Sequence, residues 1–181
     1  MDWRSLLDVT PVVVALAGSN GAGKSTFFHA HLADTGLRFV NADDLAVEMG
    51  LGAYEAAELA AALTAGLVEQ RESFVFETVL SDPVGAKVST LAKTGRHGMH
   101  VVMIFIRIDS PDTSKQRVAM RVMQGGHDVP DEKLEARFQR TLANLERAIK
   151  ALPVVVIFDN TNLARPFHLE AVYENGRRIG P

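Results

Sequence analysis

The segment from residue 18 to residue 26 has the residue types and spacing best suited to chemistry. Its glycines, lysine and serine stand at the offsets of a phosphate-binding loop, GxxxxGK[ST]. Glycine permits unusual backbone angles and lets phosphates approach the main chain, lysine supplies a positive charge, and a hydroxyl can ligate magnesium. The segment therefore predicts binding of a nucleoside triphosphate with Mg²⁺. Its residues are Gly18, Ser19, Asn20, Gly21, Ala22, Gly23, Lys24, Ser25 and Thr26.

The elements on either side of this loop are those that a phosphate site requires. The apolar run from Pro11 to Ala17 is typical of a strand buried on both faces. Phe27, Phe28 and Leu32 then follow at helical spacing. A strand, a glycine-rich turn and a helix in this order direct backbone N–H groups and the positive helix end at a polyphosphate.

Acidic residues follow the next two predicted strands, at the sheet edge where parallel sheets bind ligands. Asp43 is our candidate for the catalytic base that accepts the proton of an acceptor hydroxyl, and Asp44 is a substrate-binding candidate. The alternative is that both acids cap the following helix. Glu77 and Thr78 end the third strand and are further substrate-binding candidates. The alternative for Glu77 is an internal ion pair with an arginine.

Residues 117–140 read as a helix, a hinge with two glycines and a second helix, which is typical of a lid that closes over transferred phosphate. Arg121 and Arg137 are the catalytic candidates in this lid region, preferred over Arg117 and Arg140. His127, beside the hinge glycines, is a substrate-binding candidate. The alternative is that the arginines form a solvated helix face and that the histidine is an ordinary loop residue.

Asp159 ends a run of five apolar residues, 154–158, and begins the polar segment Asp-Asn-Thr-Asn. Its position resembles the second acidic motif of phosphate-loop proteins, whose aspartate holds magnesium through water. We therefore place it with Ser25 as a metal-binding candidate. Two alternatives remain open: this segment could hold the adenine, or it could simply form an Asx turn.

The repeated alternation of strand and helix predicts an α/β fold, a three-layer P-loop NTPase architecture with a parallel sheet of five strands and helices on both faces. The predicted helix after the third strand opens at Asp82 and Pro83. Residues 174–176 give a hairpin signal near the C-terminus. We expect a single P-loop kinase domain over residues 1–181.

The composition limits the partners that the chain can have. Its 181 residues carry a formal net charge of −3 and a pI of about 6.1, which disfavours long nucleic acid. No cysteine is present, which fits a reducing cytoplasm. The longest apolar runs are too short to span a bilayer, and the first residues lack the core of a secretion signal. We therefore expect a cytoplasmic protein without a membrane partner.

Four blocks of sequence together resemble the zeta toxin family of phosphate-loop kinases, in particular its short bacterial branch. They are the segments 18–26, 39–45, 76–82 and 117–130, and the last contains Gly-Gly-His-Asp-Val-Pro. The resemblance implies phosphorylation of the 3'-hydroxyl of the sugar in UDP-N-acetylglucosamine or a related UDP-amino sugar, with ATP and magnesium. It also implies restraint by a small antitoxin protein.

By motif, the resemblance assigns roles to individual residues. Lys24 and Ser25 would hold ATP and magnesium, Asp43 would activate the sugar hydroxyl, Glu77 would contact substrate, and Arg121 would be a lid arginine. The family's second lid arginine falls near His127, and Arg137 is the candidate that could supply that charge instead. These are the expectations that the resemblance adds.

Other functions fit the same phosphate loop. One alternative keeps phosphoryl transfer but changes the acceptor to another small metabolite, an antibiotic or a polynucleotide end. The other is a nucleotide-dependent switch or ATPase, whose output would be a conformational change. Against it, the chain has neither a Leu-Ser-Gly-Gly-Gln signature nor an Asn-Lys-x-Asp guanine-binding motif.

Overall fold

A computed structural model describes residues 2–123 and 129–181 of the chain. The strands are β1 Val12–Ala17, β2 Arg38–Val40, β3 Phe74–Thr78, β4 His100–Arg107, β5 Val154–Asp159, β6 His168–Glu174 and β7 Arg177–Gly180. The α-helices are α1 Lys24–His31, α2 Ala42–Met49, α3 Ala53–Glu69, α4 Ala86–Arg96, α5 Pro111–Met123 and α6 Asp131–Ala151. Short 3-10 helices cover Trp3–Leu7 and Ala33–Thr35.

All seven strands form one sheet, in the order β2-β3-β1-β4-β5-β6-β7. The strands from β2 to β5 in this order pair in parallel, which confirms the predicted α/β fold with five parallel strands. The predicted C-terminal hairpin is also confirmed, but it extends the sheet rather than standing apart from it. Because β6 pairs antiparallel with β5, and β7 with β6, the sheet is mixed and has seven strands.

Both faces of the sheet are covered by helices, so its central strand β1 is apolar at every position. On one face, Phe27 of α1 packs with the even-numbered residues of β1. On the other face, Leu67 of α3, Leu91 of α4 and Leu145 of α6 pack with the odd-numbered residues of that strand. Every residue of β1 is at most 1% exposed. A continuous apolar run is what such a doubly covered parallel strand requires.

The prediction that α4 opens at Asp82 and Pro83 was wrong by about one turn. The helix begins at Ala86, after Gly85, whose φ of 74° lies in the left-handed region. The Asp82 carboxylate still caps this helix, because it accepts a hydrogen bond from the Ala86 N–H. The intervening residues form a loop at the C-terminal end of β3, where the sheet meets the phosphate loop.

Within residues 2–123 and 129–181, no single helix is long and apolar enough to cross a bilayer. Only α2 and α3 taken together have the length and composition of a span, and the two helices are bent by 116° relative to each other.

Gly18 is the position where the fold depends most clearly on glycine. Its φ is 148°, and a Cβ there would collide with the main-chain carbonyl oxygen of Ile106 on β4. A backbone atom inside a buried strand cannot move aside as a side chain can. We expect Gly18→Ala to lower the free energy of unfolding by about 3 kcal/mol, combining overpacking and backbone strain.

Gly36 provides the matched control. Its φ is 70°, but no atom lies within 4 Å of the added Cβ, so Gly36→Ala carries only the backbone penalty of about 1 kcal/mol. Urea unfolding of both variants measures the difference. Equal losses would show that packing of the loop against β4 is unimportant.

Candidate active site

The phosphate loop joins the end of β1 to the start of α1. Gly21 and Gly23 have φ values of 71° and 94°, which glycine adopts without strain. Lys24 is buried, and its ammonium group donates to the Ser19 carbonyl oxygen at 3.1 Å. The Lys24 side chain therefore points back over the phosphate loop. From there its ammonium group could reach a bound phosphate.

Glu77 lies beside this loop because β3 is the parallel neighbour of β1. The register pairs Leu16 with Glu77. Ser25 Oγ donates to Glu77 Oε2 at 2.8 Å, and Lys24 Nζ lies 3.5 Å from Glu77 Oε1. Asn41 Nδ2 makes a longer contact of 3.4 Å with the same carboxylate. The alternative of an ion pair is therefore present in a different form: the cationic partner of Glu77 is the loop lysine rather than an arginine.

Asn41, which the sequence analysis did not single out as a functional residue, positions the acids of α2. Its side-chain oxygen accepts from the Asp43 N–H at 2.9 Å and so caps the helix. The capping role considered for the two aspartates therefore belongs to Asn41. Asp43 and Asp44 stand in the first helical turn, where the positive end of the helix favours carboxylates.

Asp43 faces Arg121, the candidate from the other side of the cleft. Arg121 Nη1 lies 3.7 Å from Asp43 Oδ2, and the two side chains are 44% and 70% exposed. A pair so open to solvent contributes little to stability. It does show that the candidate base and the candidate lid arginine meet in space, although they are far apart in the sequence.

Asp44 lies close to several other carboxylates. Partial burial raises the pKa of its carboxyl group, and the negative charges of Glu77, Asp43 and Glu48 raise it further. His29 acts in the opposite direction and is the smaller effect. Asp44 therefore lies within the electrostatic reach of Glu77 and belongs to the same acidic edge.

Helix α5 packs directly on the phosphate loop. Ser114 Oγ donates to the Asn20 carbonyl oxygen at 2.7 Å. Arg117 donates to the carbonyl oxygens of Gly21 at 3.4 Å, Asn160 at 2.8 Å and Thr161 at 3.0 Å. Arg117, which the sequence ranked below Arg121, thus ties the loop to the segment that follows β5.

The segment after β5 supports the loop from behind. Asn160 is buried, and its side-chain amide donates to the Ala22 carbonyl oxygen at 2.8 Å. Asp159 accepts from the Thr161 N–H at 2.7 Å, which is the Asx turn considered as an alternative, and pairs with Arg107 at 3.7 Å. Burial raises the pKa of Asp159, but the hydrogen bonds from Thr161 and the nearby Arg107 outweigh it and bring the pKa below its ordinary value.

Among the described contacts, Asp159 and Ser25, the two metal-binding candidates, have different partners. The Asp159 carboxylate contacts Thr161 and Arg107, whereas the carboxylate next to Ser25 is that of Glu77. No group of three or more histidine, aspartate or glutamate side chains suited to a metal ion occurs within residues 2–123 and 129–181. Magnesium needs no such group when phosphates provide its other ligands. The Ser25 hydroxyl and the Glu77 carboxylate are the oxygen donors that fit it here.

Three other predicted residues lie at the margin of the site or beyond what the structure describes. The Thr78 hydroxyl is buried and accepts hydrogen bonds from Lys87 Nζ at 2.9 Å and the Leu80 N–H at 3.1 Å. Arg137 is partly buried on α6 and has no hydrogen bond or ion pair with the described residues. His127 lies outside the described residues.

The sequence analysis missed several residues that shape the site. Asn41 and Asn160 each follow a strand, and that position was the available signal for both. Ser114 and Lys87 had no such signal, because each lies within an amphipathic helix among other polar residues. Only the packing of these helices against the sheet shows which way the two side chains point.

The raised pKa of Asp44 leads to a prediction about stability. Ionised Asp44 costs stability, and this cost is absent below the unfolded pKa of about 4, where the group is protonated, and grows as the pH rises through the raised folded value. We expect Asp44→Asn to raise the melting temperature at about pH 7.5, and the gain to shrink as the pH falls toward about 4.5. Thermal unfolding across this range measures the gain. A lower melting temperature at neutral pH would mean that the helix dipole outweighs the repulsion.

Comparison with known proteins places the fold and the family. The chain is similar to the crystal structure of AvrRxo1-ORF1:-ORF2 with ATP, with a TM-score of 0.70 and 20% identity over 97% of this chain and 63% of that one. It therefore spans less than two thirds of that protein's length. It is also similar to the PezAT toxin-antitoxin structure of Streptococcus pneumoniae, with a TM-score of 0.59 and 17% identity over 86% and 73%.

Another similar structure is the shikimate kinase of Bacteroides thetaiotaomicron, with a TM-score of 0.51 and 19% identity over 82% of this chain and 86% of that one. At these identities the likeness shows the fold, that of P-loop kinases. No curated protein sequence matches the chain. The profile of the Zeta toxin family, however, matches residues 49–171, which is more than half of the chain. The chain belongs to the Zeta toxin family.

Proposed function

We propose that this protein is an ATP-dependent kinase that transfers the γ-phosphate of ATP to a hydroxyl group of a small molecule. The observation that carries the proposal is the meeting of two groups of residues at one edge of the sheet. Lys24, Ser25 and Glu77 form the phosphate end, and the facing pair of Asp43 and Arg121 forms the acceptor end. Membership of the Zeta toxin family supports the same conclusion.

The phosphate loop would bind the triphosphate. Its N–H groups and the start of α1 attract anionic oxygens, and Lys24 would exchange its contact with Glu77 for one with the phosphates. Ser25 and Glu77 would hold magnesium, since both offer hard oxygen donors within 2.8 Å of each other. When bound, magnesium neutralises negative charge on the β- and γ-phosphates.

Asp43 would orient the acceptor and receive its proton. The acceptor oxygen forms a bond to the γ-phosphorus, the bond from that phosphorus to the bridging oxygen of ADP breaks, and Asp43 holds the released proton. Arg121 already lies beside Asp43, so its guanidinium group could stabilise charge on the transferred phosphoryl group. Arg137 would assist if the predicted lid region, residues 117–140, closes over the site.

The far end of the nucleotide would lie toward α5. Arg117 spans the gap between the phosphate loop and residues 160–161, and these elements would flank the adenine. This arrangement favours the adenine-loop interpretation of the segment that begins at Asp159 over its interpretation as a metal site.

The family resemblance suggests a specific acceptor, whereas the geometry of the site indicates only a hydroxyl group. We propose a UDP-amino sugar such as UDP-N-acetylglucosamine, which the zeta toxin resemblance implies. A small antitoxin is the corresponding protein partner, and the likeness to the PezAT toxin-antitoxin system supports it. We further propose that residues 1–181 act as one P-loop kinase domain.

Transfer can be measured by incubating the protein with ATP, magnesium and a panel of UDP-sugars, sugar phosphates and free sugars, followed by phosphorus NMR and mass spectrometry. We expect a phosphorylated acceptor with wild-type protein and a rate about 10²- to 10⁴-fold lower with Asp43→Asn, since general-base catalysis is lost. Glu48→Gln is the control, because Glu48 is an exposed acid of the same helix.

Two results would contradict the proposal. One is hydrolysis of ATP without transfer to any acceptor, which would indicate an ATPase or switch. The other is full transfer by Asp43→Asn, which would leave the reaction intact but exclude Asp43 as its base.

A further inference from the structure

Lys87 is a charged residue beside the C-terminal end of β3, and it has no role in the proposed phosphoryl transfer. It is the second residue of α4, and its ammonium group donates to the buried hydroxyl of Thr78 at 2.9 Å. Thr78 directly follows Glu77 at the end of β3. The Lys87 residue is exposed overall and its amine is partly buried, and the side chain lines a cavity from which a ligand can reach it. The hydrogen bond holds its amine at the sheet edge where the phosphate loop and α2 also begin.

A cavity of about 570 Å³ extends from this position between α3 and α4. Its lining includes Ala42, Glu77 and Lys87 at one end, so it opens beside the helix that carries Asp43. Elsewhere its walls are largely small or apolar side chains, such as Ala61 and Leu91. The volume lies in the range of small-molecule sites, and a few polar groups in an otherwise apolar pocket typically fix a ligand's orientation.

Lys87 is the cationic residue of this cavity's lining within the described part of the chain. Partial burial lowers the pKa of its amine, the Asp82 carboxylate acts to raise it, and the like charge of Lys24 lowers it further. The net lowering means that Asp82 does not fully compensate the ammonium group. An anionic ligand at this place would supply the missing charge, and the positive end of α4 would favour it too.

We propose that Lys87 binds an anionic group of the acceptor and so selects phosphate- or carboxylate-bearing alcohols over neutral ones. The proposal rests on the kinase function proposed above and extends it to the acceptor's charge. Three kinds of anionic oxygen group could bind the Lys87 amine in this way: the diphosphate of a sugar nucleotide, the phosphate of a sugar phosphate, or a carboxylate. The Thr78 hydroxyl positions the amine, and the cavity receives the remainder of the molecule.

The test is a binding measurement, because binding can be seen whether or not phosphate is transferred. Calorimetry with UDP-N-acetylglucosamine, N-acetylglucosamine 1-phosphate, glycerate and neutral N-acetylglucosamine separates the possible sources of the anion. We expect Lys87→Met to lower the affinity for those anionic probes that bind the wild type by about 10- to 100-fold, the range of a lost charge-assisted hydrogen bond. The affinity for the neutral probe should change less than about twofold.

Three controls keep the test specific. Lys93→Met alters an exposed lysine of the same helix that does not line the cavity, and should leave all affinities unchanged. Lys87→Arg keeps the charge and should retain anion binding within about fivefold, which separates lost recognition from lost folding. ATP affinity should stay the same in every variant, because Lys87 is assigned to the acceptor.

The proposal is overturned if no anionic probe binds the wild-type protein, if Lys87→Met binds anionic probes as tightly as wild type, or if it loses neutral and anionic probes equally. It is also overturned if ATP affinity alone falls, since Lys87 would then serve the nucleotide. Normal anion binding without any phosphate transfer would instead contradict the kinase function and leave the role of Lys87 in place.

Discussion

The carboxylate of Glu77, held against Lys24 and Ser25, is the interaction on which the site depends. It joins β3 to the first turn of α1 through a hydrogen bond of 2.8 Å and an ion pair of 3.5 Å. A carboxylate with so little exposure needs partners that satisfy its charge, and the lysine and serine supply them. Because the same two residues would bind phosphate and magnesium, the ligand must compete with the contacts that they make with Glu77.

Strand order determines which residues can take part in the proposed reaction. With β3 and β4 on either side of β1, the phosphate loop has the end of β3 on one flank and α5, after β4, on the other. The first flank contributes Glu77 and, through neighbouring β2, Asn41 and the acids of α2. The second contributes Arg117 and Arg121. Acidic side chains thus stand on one side of the phosphate loop and arginines on the other, which suits the proposed transfer from a phosphate to an alcohol.

Much of this arrangement could be predicted from the sequence, because local patterns determine it. The glycine spacing predicted the phosphate loop and the apolar runs predicted the strands. The rule that ligands bind at the C-terminal strand ends drew attention to Asp43 and Glu77, which do lie at that edge of the sheet. The contacts of individual side chains could not be predicted, because they depend on the tertiary structure. Asp159 also follows a strand, but only the folded chain shows that its carboxylate accepts from Thr161 and pairs with Arg107. Lys87 could not be distinguished from other helical lysines until α4 was placed on the sheet.

We propose that Glu77 and Ser25 bind magnesium, and that Lys24 keeps its ion pair with Glu77 until ATP binds. Calorimetric titration of ATP into wild-type protein and Glu77→Gln, each with and without magnesium, tests it most directly. The account predicts that magnesium raises the ATP affinity of the wild type, that Glu77→Gln loses this gain, and that its magnesium-free affinity is equal or higher because Lys24 is released. A Glu77→Gln protein that keeps the full gain from magnesium would contradict the account.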